Sequence, residues 1–369
     1  MFDLGLVTME SDRRRIRQIT DHALAGLPPG VGEIAQLLDI TDPDDAADVF
    51  AAARELRERH FGDSVFLYGF VYFSTYCRND CTFCLYRRGN DASPRYRKTA
   101  DEVVRIAVEL AESGVHLIDL TMGEDPIFFD EGRFEPLVEL VADVRRATGL
   151  PVMISPGVVP DSVLADLRRA GADWYACYQE THEPELYVSL RMGQEFDSRI
   201  EARRAAMSVG MLAEDGLLLG VGETVDQRAR SIVAMREQAA QQVRVMTFVP
   251  QRGTPLEGYS TVTMFSEMLM IAVMRLVMPE RLIPASLDVD GIRGLEPRMM
   301  AGANVVTSIV PPDEGLAGVS QSELDIQEGL RTVSEVSSRL ADIGLHAAVT
   351  SEYRDWVERA RERPGRVPA

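Results

Sequence analysis

Apolar positions recur at helical spacing through Ile16–Leu27, Val31–Leu38 and Ala46–His60, so the first sixty-three residues read as helical. Asp42 or Asp44 is placed to cap the third of these helices, and Pro43 suits its first turn. The pattern then changes. Short β-branched or apolar runs appear at 65–73, 116–121, 151–156, 173–178, 216–222, 243–250, 281–287 and 304–311. Between most of them lie amphipathic stretches of helical length: Ala100–Ser113, Phe134–Thr148, Ser162–Ala170, Arg199–Val209, Thr224–Ala240 and Thr263–Met278. Strand and helix in alternation predict a parallel sheet, and eight such units predict an α/β fold of the (β/α)8 TIM-type barrel class with an N-terminal helical extension. A doubly wound open sheet is the alternative, since a strand count does not establish closure. The expected division is a helical extension over 1–63, a barrel over 64–345 and a C-terminal tail over 346–369. A last helix near Gln321–Leu340 and the tail lie outside the barrel or close it.

In a barrel of this kind the chemistry sits where the strands end. That position singles out Cys77–Cys84, Gly123–Asp125, Ser155, Glu180, Gly220–Glu223, Arg244 and Ser286–Asp288, which are polar for segments that begin so apolar.

Composition narrows the classes. In 369 residues, 46% hydrophobic and 26% charged content supports a large core. A net charge of −19 argues against a nucleic-acid partner, which needs a positive field. The basic run Arg13–Arg17 is followed by no apolar segment of a signal peptide, and no stretch is long enough to span a bilayer. A cytoplasmic protein without a membrane partner is expected. Of four cysteines, three fall between 77 and 84, a distribution unlike a disulfide framework. Cys177, within an expected strand, reads as a small core side chain.

Cys77, Cys81 and Cys84 form CxxxCxxC with aromatic neighbours, including Phe83 just before the third cysteine. Three thiolates on one loop suit three irons of a [4Fe–4S] cubane and leave the fourth iron open, whereas electron-transfer clusters use four cysteines. A structural zinc site wants four closed ligands, and the loop offers neither a fourth cysteine nor a nearby histidine. An open iron is able to chelate S-adenosylmethionine and pass an electron to its sulfonium.

The spacing resembles the radical S-adenosylmethionine (SAM) superfamily, and its biotin synthase and [FeFe]-hydrogenase maturase branch shares a full barrel. More specific segments, among them YFSTYCRNDCTFCLYRR, DLTMGEDP, YQETHEPELY, LRMGQEFDSR, RVMTFVPQRGTPLEG, IPASLDVDGI and GANVVTSIVP, resemble the 3-methylornithine synthases of pyrrolysine biosynthesis in order from about residue 60 to 312. The resemblance implies an isomerase that converts L-lysine to (3R)-3-methyl-D-ornithine. In that family a 5′-deoxyadenosyl radical takes a side-chain hydrogen, the substrate radical fragments and recombines, and the hydrogen returns. A one-electron donor such as flavodoxin or ferredoxin is implied as partner.

The resemblance also assigns roles. Gly123, Glu124 and Asp125 fall in the stretch that binds the cofactor's methionine amino group, although acidic residues there also suit a helix cap. Ser155 and Glu180 are positioned for cofactor contacts, Glu180 toward ribose or sulfonium. Arg199 matches the arginine that pairs with the cofactor carboxylate, with Arg191 as competitor, since a guanidinium fork binds a carboxylate bidentately. An exposed helix arginine is the other reading of Arg199. For a substrate with one carboxylate and two ammonium groups, Arg244 is expected on the carboxylate, and Asp119, Ser286 and Asp288 on the ammonium groups. The alternative is a buried Arg–Asp pair that only stabilises the mouth. Tyr72 and Ser74 either line the wall or pack. None of His22, His60, His116, His182 and His346 stands in a catalytic setting, and His182 is expected at the surface or in a cap. A different radical enzyme of the same branch, or a non-catalytic iron–sulfur protein, remains as an alternative function.

Overall fold

Helices α1 (Leu4–Leu24), α2 (Val31–Leu38) and α3 (Ala47–Phe61) precede β1 (Ser64–Ser74) in the computed structural model, which describes residues 4–316, 318 and 329–362, with side chains from Arg13 onward. The alternation then runs α4 (Ala100–Ser113), β2 (Leu117–Met122), α5 (Pro126–Phe129), α6 (Glu135–Thr148), β3 (Val152–Ser155), α7 (Asp161–Ala170) and β4 (Ala172–Ala176). It continues through α8 (Pro184–Leu190), α9 (Phe196–Ser208), β5 (Leu212–Leu219), α10 (Val225–Glu237), β6 (Gln242–Thr247), α11 (Met264–Val277) and β7 (Pro284–Ser286). A 3₁₀ turn at Gly291–Gly294 leads into α12 (Leu295–Met300), followed by β8 (Val305–Ile309), α13 (Val333–Asp342), β9 (His346–Ala347) and α14 (Thr350–Glu362).

The eight main strands pair in parallel in the order β6-β5-β4-β3-β2-β1-β8-β7. The ring is joined between β6 and β7 by one bridge, Gln242 to Leu282, with Val243 N donating to Leu282 O at 3.0 Å. This is the predicted barrel, nearly closed, rather than an open doubly wound sheet. Strands buried on both faces explain why they read as apolar runs and not as alternating patterns. Amphipathic helices cover the outside; Thr99 caps α4 by accepting from Glu102 N, in a capping box with that glutamate.

The barrel interior is a separate cluster, and it fixes which side chains point inward. Phe66, Tyr68, Leu117, Met153, Trp174, Leu212, Leu282 and Val305 pack together at the lower end of the barrel. Because side chains alternate along a strand, the next inward positions up are Asp119 on β2, Ser155 on β3 and Glu214 on β5. The register staggers these positions from strand to strand: Asp119 lies opposite Met153, Thr121 opposite Ser155, and Gly216 opposite Arg244.

The tail does not lie outside. Tyr353, Val357 and Trp356 of α14 plug the lower opening, with Tyr353 Oη 2.9 Å from Tyr68 Oη and Trp356 stacked on Trp174 at 5.9 Å. The small strand β9 ties this plug to β1, pairing Ser64 with His346. The N-terminal helices cover neither opening. They pack on the flank, α2 and α3 against α10 and α11. That placement explains why α11 is buried from Glu267 to Val277 on every face. The expected capping of α3 by Asp42 or Asp44 is not found: its N-cap is Ala46, and Asp42 instead accepts from Asp44 N at 2.9 Å within the preceding turn. The last expected helix is shorter, starting at Val333; residues 321–328 of that expectation lie outside the described residues. Among the described residues no helix is long and apolar enough to cross a membrane.

Candidate active site

The loop that follows β1 carries the three free cysteines, Cys81 buried and Cys77 and Cys84 half-buried. Its shape is held by neighbouring backbone. Thr82 N donates to Leu190 O at 2.8 Å, and Arg78 N donates to Glu124 O at 2.9 Å. Gly123 N donates to Ser74 O at 2.9 Å, bringing the loop after β2 against the cysteines. Gly123 has no alternative there, since a Cβ would lie 2.3 Å from Tyr76 O and 2.9 Å from Cys77 Cβ.

The donors around the thiols suit a cluster. Cys81 Sγ accepts from Gln194 Nε2 at 3.2 Å and faces Arg191 Nη1 at 3.6 Å. Burial pushes the Cys77 and Cys84 thiols up, so in this setting thiolates call for a bound cationic group. Among the described residues no three His, Cys, Asp or Glu side chains converge as a single metal ion requires. A cubane instead takes each thiolate at its own corner, which three cysteines on one loop provide.

The residues expected to hold a cofactor surround this loop. Glu124 is buried; Arg78 Nε donates to Oε2 at 2.9 Å, Val158 N donates to Oε1 at 3.1 Å, and Arg199 Nη2 lies 3.7 Å from Oε1. Asp125 is committed to protein groups: it caps α5 through Ile127 N, accepts from Ser74 Oγ at 2.5 Å and takes both Nε and Nη2 of Arg97 at 2.7 Å. Ser155 ends β3 beside Thr121. Glu180 adopts φ 66°, an uncommon left-handed conformation for a non-glycine residue, and accepts from Arg191 Nη2 at 2.5 Å. Arg199 is buried, not an exposed helix arginine. Its Nη1 reaches Cys177 Sγ and Tyr178 O, both at 3.3 Å, and its Nη2 reaches Gln194 Oε1 at 3.2 Å. Cys177 is thus core on one side and an acceptor for Arg199 on the other.

Deeper in the barrel lies a charged chamber. Arg244 and Asp119 face it as expected, but their partners differ from a simple Arg–Asp pairing. Arg244 Nε donates to Glu214 Oε1 at 2.5 Å, its guanidinium lies 5.2 Å from the Tyr178 ring centre, and its Nη2 is buried without a protein partner. Burial alone lowers an arginine pKa; Glu214, then Tyr178 and Asp119, more than offset it, and Arg244 stays charged. Asp288 is held by Arg331, Nη1 to Oδ1 at 2.9 Å and Nη2 to its carbonyl at 2.8 Å. Ser308 Oγ donates to Asp288 Oδ2 at 3.0 Å, and Ser286 Oγ at 3.4 Å. Asp119 is left with one hydrogen bond, from Thr121 Oγ1 at 3.1 Å. Its carboxyl is pushed up to about 7 by burial first and by the like charge of Glu214 next.

Three charged groups here escaped the sequence reading. Glu214 and Asp215 lie below the apolar run 216–222 by which β5 is recognised, and the only clue is two adjacent carboxylates entering a buried strand. Arg331 falls inside the expected helix Gln321–Leu340, where a basic residue reads as surface, but the helix starts at Val333 and Arg331 is buried. His182, expected at the surface or in a cap, has its side chain buried instead, with Nε2 3.1 Å from Asp215 Oδ2, and Arg203 Nη2 lies 3.0 Å from the same oxygen. His116 is buried as well, its Nδ1 accepting from Leu67 N and its Nε2 against Ala348 O, at 2.8 Å each.

Known proteins match this arrangement. The Radical SAM superfamily matches residues 71–233. The 3-methylornithine synthase of Methanosarcina barkeri is 44% identical over 334 residues, 90% of this chain and 94% of that protein. A crystal structure of methylornithine synthase (PylB) superposes with a TM-score of 0.87 at 42% identity, covering 92% of this chain and 99% of that one. The [FeFe] hydrogenase maturase subunit HydE of Thermotoga maritima is 29% identical over 276 residues, 74% of this chain and 78% of that protein. With the barrel, the cysteine loop and this degree of identity along nearly the whole chain, the protein belongs to the 3-methylornithine synthase family of the radical SAM superfamily.

Proposed function

We propose that this protein is a radical SAM mutase that converts L-lysine to (3R)-3-methyl-D-ornithine, with a [4Fe–4S] cluster and SAM as its cofactors. The observation that carries the substrate assignment is the charge count of the chamber. Three carboxylates, Asp119, Glu214 and Asp288, face two guanidinium groups, Arg244 and Arg331. Glu214 and Asp288 are paired; Asp119 is buried without a cation, a costly arrangement unless a cationic ligand completes it. Arg244 offers a buried, unpartnered Nη2 on the other side. A molecule with one carboxylate and ammonium groups fits that pattern, and lysine is such a molecule.

Cys77, Cys81 and Cys84 would hold the cluster, and Gly123, Glu124, Asp125, Ser155, Glu180, Arg191 and Arg199 would surround SAM. When bound, these groups supply reductively triggered radical chemistry able to remove a hydrogen atom from an unactivated carbon. The chain's own residues then bind and orient. Arg244 takes the substrate carboxylate through its free nitrogen, and Asp119, Ser286 and Asp288 receive the ammonium groups. An arriving ammonium favours the ionised form of Asp119 and displaces its proton. The plug of Tyr353 and Trp356 seals the lower opening, which keeps water out and holds substrate pieces in place for recombination. A flavodoxin- or ferredoxin-type donor in the cytoplasm would supply the electron.

The test is anaerobic reconstitution of the cluster, followed by reductant, SAM and ¹³C-lysine. Labelled methylornithine is expected. If deoxyadenosine forms while the label stays in lysine, the substrate assignment fails and the radical chemistry stands.

A further inference from the structure

We infer that Glu214 is a positioning residue that aims Arg244 at the substrate carboxylate and makes the chamber selective for a cationic amino acid. The inference rests on reading the chamber as the lysine site.

Three observations on strands β4 to β6 converge on it. Glu214 is fully buried, and its Oε1 accepts from both Arg244 Nε at 2.5 Å and Gln242 Nε2 at 2.7 Å. Its Oε2 accepts from Tyr178 Oη at 3.1 Å, and the same tyrosine ring lies against the Arg244 guanidinium. The side chain is therefore held by Gln242 and Tyr178 while it grips Arg244 by Nε alone, which leaves Nη2 for a ligand. Two residues along β5, Gly216 provides the room that arginine needs. A Cβ at Gly216 would lie 2.8 Å from Arg244 Cγ, 3.0 Å from Met246 Cε and 3.2 Å from Tyr178 Cδ1. Glu214 and Gly216, neighbouring inward positions of β5, thus both serve the placement of one guanidinium.

A stabilising role alone does not account for this. A buried ion pair contributes little net stability once desolvation is counted, and apolar residues fill such positions as well. Glu214 also acts on Asp119. The charged and titratable groups facing Asp119 are Glu214 from β5, Arg244 from β6, Tyr178 after β4 and Asp288 after β7. Phe70 stands opposite Asp119 on β1 and Met153 on β3, and neither brings charge. Glu214 therefore supplies the first like charge that makes an ionised Asp119 demand a cation.

The test is Glu214→Gln in the reconstituted holoenzyme, with iron content and lysine kinetics measured across pH. The amide keeps the volume but loses the charge-assisted grip. KM for lysine should rise by roughly tenfold to hundredfold, with kcat little changed. The acidic limb of kcat/KM should move to lower pH, because Asp119 loses its like-charged neighbour. Gly216→Ala displaces Arg244 and keeps Glu214, so it should raise KM without moving the acidic limb to lower pH. Should the glutamine variant assemble without iron, the alanine variant decides. A Glu214→Gln enzyme with wild-type KM and acidic limb, or a Gly216→Ala enzyme with wild-type KM, overturns the inference. A wild-type enzyme that converts SAM but ignores lysine overturns the reading beneath it instead.

Discussion

Replacing Asp119 with asparagine should make the ligand-free enzyme more stable at neutral pH while abolishing its affinity for lysine. The reason is the carboxyl group's environment. It is buried, has one hydroxyl donor and lies near Glu214, so its pKa is pushed up from 3.8 to about 7. Between those values the native state keeps a proton that the unfolded chain has released. By linkage, stability then falls as pH rises through this window, fully present near pH 4 and lost above 7. Just over three pH units at about 1.36 kcal/mol each set an upper bound of ~4 kcal/mol. Asparagine cannot ionise and escapes this loss. Denaturant unfolding of reconstituted wild type and Asp119→Asn, compared at each pH from 4 to 8, isolates the difference. The two should coincide near pH 4, with the variant ahead by up to ~4 kcal/mol at pH 8. Lysine should narrow that gap, stabilising wild type by about 1.5–3 kcal/mol, the worth of a buried charged hydrogen bond, and leaving the variant unmoved. A variant that is less stable than wild type by the same amount at every pH would refute the reasoning and make Asp119 a structural residue with its needs already met.

Cys84→Ala should lose both iron and turnover, whereas Asp288→Asn should keep wild-type iron content and lose turnover, as read by iron analysis and product formation. Gly123→Ala should fail to retain the cluster, because its methyl collides with Tyr76 O and Cys77 Cβ; the iron-to-protein ratio checks this. Tyr353→Ala removes the ring packed on Phe66 at 4.9 Å and on Tyr68 at 5.6 Å, so chemical unfolding should show a loss of about 3–5 kcal/mol.

What the sequence disclosed follows the strength of its periodic signals. Helix α4 matches the expected Ala100–Ser113 because both ends are marked, by Thr99 with Glu102 and by a glycine at the close. Strands of continuous apolar residues were visible for the same reason; strand ends then pointed to Arg244 and Asp288, while Asp119 came from the charge needs of the substrate that the resemblance implies. The partners of those residues were not visible. Glu214 and Arg244 are thirty positions apart and meet only because β5 and β6 are adjacent. Arg331 meets Asp288 across forty-three positions, from a segment that reads as part of an outer helix. Exposure was misjudged for His182 because a titratable side chain reads as surface until its buried partner, Asp215, is known. Closure of the barrel by the tail was one of two expected placements, and the residues that close it were not marked: α14 is polar on most of its surface, with Tyr353, Trp356, Val357 and Ala360 packed on the barrel interior.

The most direct test of the central claim follows hydrogen itself. Reconstituted enzyme with SAM, reductant and lysine perdeuterated along its side chain should yield 5′-deoxyadenosine carrying deuterium, together with labelled methylornithine. Deoxyadenosine that stays free of deuterium while the enzyme consumes SAM would show that the radical does not act on lysine, and would contradict the account.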